Sequence, residues 1–546
     1  MHPPQEVCTL IHISCAALLA PFLGRDRTVP RFLFTTPAPM EWMVFLFCGL
    51  LVGCERLTSP SGEEEGGGEP PGIRLTLVEA NQGVGIRILE EGIPIPLSAR
   101  NAPLIENRET LIWALWEVDD GWVRRTVRAE LKITVPDGRE ETKVQQRFVV
   151  EGAQSSFESF DLSFAWALPP ELAVHGATYQ LTLTLPGSGG VGGGEIAAGA
   201  FPSSPEPIGF EESYQVIRVT LVPVQHQYED SCSEIPELSH ADVETFGELL
   251  HRRNPTERVV MTLREPYVWT ESLSSYSGLL AALSQLRFQD GADPAEYYAG
   301  LVHHCVRTGG QAITIPPFPT RDNAWTRTVV SAWRGAAPLS STTFVHEMGH
   351  AQGRRHVRCT GAEGSPDPHY PYPAGNIGVW GYSIPIPDAR IPWLSGNTYH
   401  PETSYDYMGY CTGPQHVSDY GWGLVYPFIR EISGWELEDP APAPSPVRPE
   451  GSHRLLVGLL DQEGREHWFE VPGRASDREP TPGSYLELTV EGVPVLLPVW
   501  EGAQPHGAGR IVVAELPVPL ERVSRIFLES SGMKGPVDLG RVQRLR

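Results

Sequence analysis

His346, Glu347, His350 and His356 are the residues of this sequence whose types and spacing can do chemistry. On a helix, His346 and His350 lie one turn apart on one face, so both imidazoles can meet one Zn2+ at about 2.0–2.1 Å. Glu347, beside the first of them, can take a proton from a water on the metal. Gly353 has no Cβ and can enter the left-handed conformation that ends a helix, turning the chain so that His356 supplies a third nitrogen. Three neutral ligands leave a fourth position open, the arrangement of a catalytic rather than a structural zinc. His303, His304, His369, His400 and His416 lack ligand spacing and read as surface or packing residues.

The run from His346 to His356 matches HExxHxxGxxH at all five defined positions and so resembles the metzincin zinc-binding signature. That resemblance implies a downstream Met-turn, and residues 405–411 fit it, with Met408 as the hydrophobic base under the imidazoles. In the astacin and serralysin branches a tyrosine two residues past that methionine stabilises the oxyanion, and Tyr410 has this spacing. Val357, after the third histidine, fits neither the acidic residue of astacins and adamalysins nor the proline of serralysins, so the branch stays open. The nearest likeness is to exported bacterial metzincins of several modules, which carry a cysteine just after the Met-turn. Cys411 stands there and Cys359 lies just past the third ligand, so the resemblance implies a bridge between them, with Cys232 and Cys305 as the remaining pair. The implied activity is a zinc endopeptidase in which Glu347 activates the attacking water. Its extended substrate would add to an edge strand near residues 312–315.

The elements that must position these groups are legible in the patterning. Residues 209–436 alternate strands and helices: strand candidates at 216–224, 259–263, 297–302, 312–315 and 328–333, and helices at 239–251, around 279–286 and at 418–433, the last with Pro427 inside. The zinc-binding segment follows the last strand through Pro338 and Ser340. Residues 73–208 show short alternating apolar runs such as Leu131, Ile133, Val135 and Leu181, Leu183, Leu185, a β-sandwich pattern. Its Gly-rich run 187–194 reads as a hairpin tip or a linker. Residues 437–450 are dense in Pro and Ala and read as a linker, and 451–546 hold five strand candidates, a second β-module. The expected fold is therefore an α+β (α/β) metzincin-like catalytic domain flanked by N-terminal and C-terminal β-sandwich-like domains.

Composition bounds the partners. The 546 residues carry 42 Lys and Arg against 67 Asp and Glu, a net charge of −25. Nucleic acid is therefore not expected as a partner, and a membrane is expected only through a lipid anchor. A protein or peptide substrate and a monomeric state are expected. The middle four cysteines, Cys232, Cys305, Cys359 and Cys411, permit three pairings by sequence alone. The apolar run 42–53 is too short to span a bilayer but suits a signal peptide, so residues 1–53 read as a leader. Its end, Leu51-Val52-Gly53-Cys54, resembles the lipobox of bacterial lipoproteins, which implies lipid on Cys54. Residues 54–72, rich in Glu, Gly and Pro, read as a tether that holds an exported body at the cell envelope or surface. The other functional class in view is a surface binding or adhesion protein whose β-modules work while a degenerate protease core serves as scaffold. Glu347 argues against it, since a scaffold that only binds metal needs no base.

Overall fold

The structure, a computed structural model, describes residues 72–150, 152, 154–186, 195–212, 214–228, 234–307, 309–361, 363–383, 397–438, 453–475, 479–530 and 533–544. The expected leader, Cys54 and the tether up to residue 71 lie outside the described residues, as do Cys232, most of the expected linker and the Gly-rich run 187–194. The described residues belong to one compact unit. Its regular structure is mostly β, in several small sheets, with four α-helices.

Toward the N-terminus, a five-stranded and a four-stranded sheet carry the alternating apolar residues predicted from the sequence, and Leu131, Ile133, Leu181 and Leu183 are all fully buried. The strands Thr178–Pro186 and Glu195–Pro207 pair antiparallel, with Pro186 opposite Glu195.

The middle of the chain builds a sheet in the order Arg258–Leu263, Val216–His226, Tyr297–His303, Thr328–Trp333, Gly310–Ala312. The first four are parallel and the last is an antiparallel edge. Helix α1 (His240–Arg253) starts where Ser239 and Asp242 cap each other's backbone, as the Ser at the expected start implied. Side-chain alternation sends Leu221, Leu301 and Val329 into one core with α1 and α3 (Ala337–Ala351), and Val222, Val302 and Val330 into another with α2 (Ser277–Gln289). The expected edge strand at 312–315 is displaced to Gly310–Ala312. Ile313 still donates to Thr328 (3.1 Å), but Pro316 and Pro317 follow, and proline brings no N–H to a ladder. The last helix, α4 (Asp419–Glu438), ends a turn later than expected, inside the segment read as linker.

The C-terminal module is a second pair of four-stranded sheets. One sheet is apolar on both faces. Leu456, Val512 and Ala514 face Leu486, Leu488 and Leu528 of the partner sheet, while Leu455, Val457 and Val513 join the core of α2. Such two-sided burial explains why 455–460 reads as an unbroken apolar run rather than an alternation. Among the described residues no helix is long and apolar enough to cross a membrane.

Candidate metal centre

Helix α3 is buried at every residue from Phe344 to Ala351, which puts His346, Glu347 and His350 inside the protein rather than on a wet face. The helix ends as the sequence predicts, because Gly353 takes φ +86°, and a Cβ there would come within 2.8 Å of the Pro316 carbonyl. The chain then turns back and brings His356 to the other two. Each Nδ1–H faces a main-chain carbonyl: His346 that of Tyr407 (2.9 Å), His350 that of Arg354 (2.7 Å) and His356 that of Gly364 (3.2 Å). These bonds fix the tautomer and leave three Nε2 lone pairs converging. His346 Nε2 is buried with no hydrogen-bond partner, and His350 Nε2 lies 3.1 Å from His356 Nε2, where two lone pairs repel unless a cation lies between them. Burial, then the neighbouring imidazoles, pushes His350 well below its ordinary pKa and His356 down to about 4, and burial lowers His346 too. All three are thus neutral at physiological pH, as metal ligands must be. The donor set fits a metal ion.

Met408 is fully buried beneath the helix, where a Cβ on Gly349 would come within 2.4 Å of its sulfur. Asp406 holds this turn in place. It accepts from Met408 N (3.0 Å), from Ser418 Oγ at the start of α4 (2.6 Å) and from Arg354 (3.1 and 3.2 Å). Burial alone would raise its pKa, but the Arg354 guanidinium holds the carboxyl below the usual range. Arg354 also presents the carbonyl that orients His350, so one buried ion pair ties the loop that carries His356 to the turn that carries Met408. The Cys359–Cys411 bridge adds a covalent clamp between the same two segments, with Cα atoms 5.3 Å apart. The expected Cys232–Cys305 pair falls on Cys232, outside the described residues; Cys305 is itself disulfide-bonded, which removes it as a thiolate ligand beside Glu234 and His303.

Glu347 is 1% exposed and lies against the edge strand, where a Cβ on Gly310 would come within 2.6 Å of its Cγ. Tyr410 reaches the centre, its hydroxyl 3.0 Å from His356 Nε2. Burial and then the Glu347 charge push its pKa up, so it keeps its proton. His303, His304 and His400 stay outside the cluster, and His416 is buried against Gly83 and stacked on Tyr399.

A fourth histidine, missed from the sequence, joins the other three. His506 comes from the C-terminal module, and among the described residues His346, His350, His356 and His506 form a group able to hold a metal ion, their ligand atoms within 4.8 Å of one another. Its Nε2 donates to Glu347 (3.0 Å) and its Nδ1 lies 2.5 Å from the Tyr410 hydroxyl. Burial would lower its pKa, but the Glu347 carboxylate raises it. A lone histidine some 150 residues from the motif carries no spacing signal; the only hint is its place between Pro505 and Gly507, at the tip of a turn. Beside the cluster a cavity of about 630 Å³ opens between the central and C-terminal modules, lined among others by Phe318, Trp325, Arg355, His356, Trp500 and His506.

No family model and no curated protein matches the chain. Among solved structures it is similar to a calcium-binding mutant of Bacteroides uniformis beta-glucuronidase 2, at 12% identity over 42% of this chain and 28% of that one, TM-score 0.12. It is similar also to Bacteroides uniformis beta-glucuronidase, at 11% identity over 43% and 28% of the two chains, TM-score 0.11. The chain spans under a third of the length of either, and a likeness of this size carries neither fold nor activity across.

Proposed function

We propose that this protein is a zinc-dependent endopeptidase of metzincin type that hydrolyses peptide bonds of extracellular or envelope proteins. The observation that carries the reading is the convergence of three neutral Nε2 atoms, each turned inward by a main-chain bond on its Nδ1, with the Glu347 carboxylate beside them. The sheet order, with an antiparallel edge strand ahead of the ligand-bearing helix, supports the same reading. His346, His350 and His356 would hold the zinc, which would supply a Lewis acid for the scissile carbonyl and would lower the pKa of water toward about 7. Glu347 takes the proton of the attacking water on a carboxylate oxygen and passes it to the leaving amine. Tyr410, protonated and at the centre, donates its hydroxyl to the oxyanion that forms. An extended peptide adds to the edge strand Gly310–Ala312, and the adjoining cavity, within the usual size of a ligand pocket, takes a side chain.

Buried against the edge strand, Glu347 also weighs against a scaffold that only binds metal. Export with a lipid anchor on Cys54 rests on the lipobox-like ending and the tether after it; Cys54→Ala is expected to block lipidation, and a variant that stays in the membrane fraction in the same processed form as the wild type overturns it. The deciding experiment is incubation of the purified protein with a mixed peptide library, with and without a chelator. Cleavage that a chelator abolishes and zinc restores is the expected result; cleavage indifferent to chelator, or none from the wild type and His506→Ala alike, overturns the reading.

A further inference from the structure

Four imidazoles held tetrahedrally by one zinc at about 2.0–2.1 Å place their ring centres about 5 Å apart. Within the motif the centres are 4.8, 5.2 and 4.6 Å apart. From His506 to His346, His350 and His356 they are 5.4, 4.9 and 4.7 Å. The four rings thus form a nearly regular tetrahedron, of which His506 is the fourth corner. A hydrogen bond to Glu347 explains one of His506's contacts but not its near-equal distance from three separate histidines.

The backbone that delivers this ring is specialised for it. His506 sits at φ 60°, ψ 15°, in the left-handed region that a residue with a Cβ rarely enters, between Pro505 and a Gly507 that is also left-handed. The turn joins the strands Trp500–Ala503 and Gly509–Leu516. At its base Gln504, 3% exposed, accepts from Ser277 Oγ at the start of α2 (3.2 Å) and from Gln311 Nε2 on the edge strand (3.1 Å). With Nε2–H directed to Glu347, the ring turns Nδ1 toward the Tyr410 hydroxyl, on the side where His356 Nε2 lies. A carboxylate behind a ligating histidine is the usual arrangement around a metal.

We propose that His506 is a fourth metal ligand and that the resting protein holds a closed four-histidine centre, opened for catalysis only when the 504–508 turn swings away. The proposal rests on the zinc reading above and adds latency to it. In the closed state one turn fills the open coordination position, engages a carboxylate oxygen of Glu347, and is bonded through Gln504 to the Gln311 side chain of the strand that a peptide would use.

The test uses the full protein loaded with Co2+, whose visible spectrum reports coordination, titrated with acetohydroxamate. The wild-type spectrum is expected to be that of an all-nitrogen tetrahedral site and to ignore the hydroxamate, whereas His506→Ala gains an exchangeable position and responds. Gln504→Ala, which frees the turn while keeping the histidine, is expected to respond at intermediate concentration. Peptide hydrolysis by the zinc forms is expected to rise about tenfold or more in His506→Ala, because the competent fraction is no longer limited by the turn. If the wild type already responds to hydroxamate as His506→Ala does, the fourth-ligand proposal is overturned while the peptidase reading stands. Should the wild type bind cobalt in a closed site and no variant cleave any peptide, the ligand stands and the peptidase reading falls. Absence of stoichiometric metal in the wild type removes both. A misfolded His506→Ala leaves the wild-type titration and Gln504→Ala to decide.

Discussion

The two β-modules are built alike and serve the centre differently. The N-terminal sandwich touches the middle of the chain through cores and carbonyls: buried Arg108 donates to the carbonyls of His251, Asn254 and Thr256, and His416 meets the Gly83 carbonyl at 2.7 Å. Among the described residues it places no side chain among the four histidines. The C-terminal module shares a core with α2 and also sends His506 into the cluster. Similar architecture therefore says little about role. What separates the modules is whether a turn at the sheet's end reaches the histidine cluster, and a turn is the part of a sandwich least constrained by its core.

Four experiments can break or sharpen this contrast. The largest effect is expected at Glu347, the carboxylate that the C-terminal module touches. Glu347→Gln should lower peptide hydrolysis by about 10²–10⁴-fold while metal analysis still finds one equivalent, since base and ligands are separate groups. Loss of metal instead would mean that the carboxylate holds the site together rather than acting on substrate.

On the other side of the contrast, Arg108→Met strands several buried carbonyls. It should cost about 3–5 kcal/mol in urea denaturation, with metal content unchanged below the transition. A variant that stays stable but sheds metal would show that the N-terminal sandwich reaches the site after all. Replacing Cys359 and Cys411 together by Ser should cost about 2–4 kcal/mol, read as a lower melting temperature. A loss of metal affinity larger than the loss of stability would mark the bridge as a shaper of the site.

The last effect is one of pH and concerns Glu79 of the N-terminal sandwich, which burial raises from 4.5 to about 8 against the attraction of Arg87. Between those values the unfolded carboxyl is ionised and the folded one protonated, so unfolding releases a proton and stability falls as pH rises. The slope is about 1.4 kcal/mol per pH unit. Glu79→Gln should flatten it, which denaturation at pH 5 and pH 8 measures directly.

How much of this was legible in the sequence depends on the range over which each constraint acts. The helix, its left-handed end at Gly353 and the three motif histidines follow from offsets of three to six residues, and backbone geometry alone converts those into a shared face. Met408 and Tyr410 were legible only through a family resemblance, because nothing local says that a chain 52 residues on returns beneath the helix. Asp406 and Arg354 gave no signal at all: a lone aspartate and a lone arginine read as surface charges until the fold buries both. His506 was hidden for the same reason. Gly310 carries no local signal either, yet it stands on the edge strand and makes room for the Glu347 side chain. The edge strand stops within the strand-like run 312–315 because Pro316 and Pro317 follow it and bring no N–H to a ladder.

The two-faced sheet of the C-terminal module bears on how the protein can be handled. Leu279, Leu280 and Leu283 on α2 are covered jointly with Leu455, Val457 and Phe469, so a chain stopped at residue 438 would lay that leucine face bare. Such a fragment would clump rather than behave as a trimmed enzyme. A cut between residues 438 and 453 would not part the halves either, because the apolar contact, not the peptide bond, is what keeps them together. The two pieces should travel as one through a sizing column and separate only in denaturant.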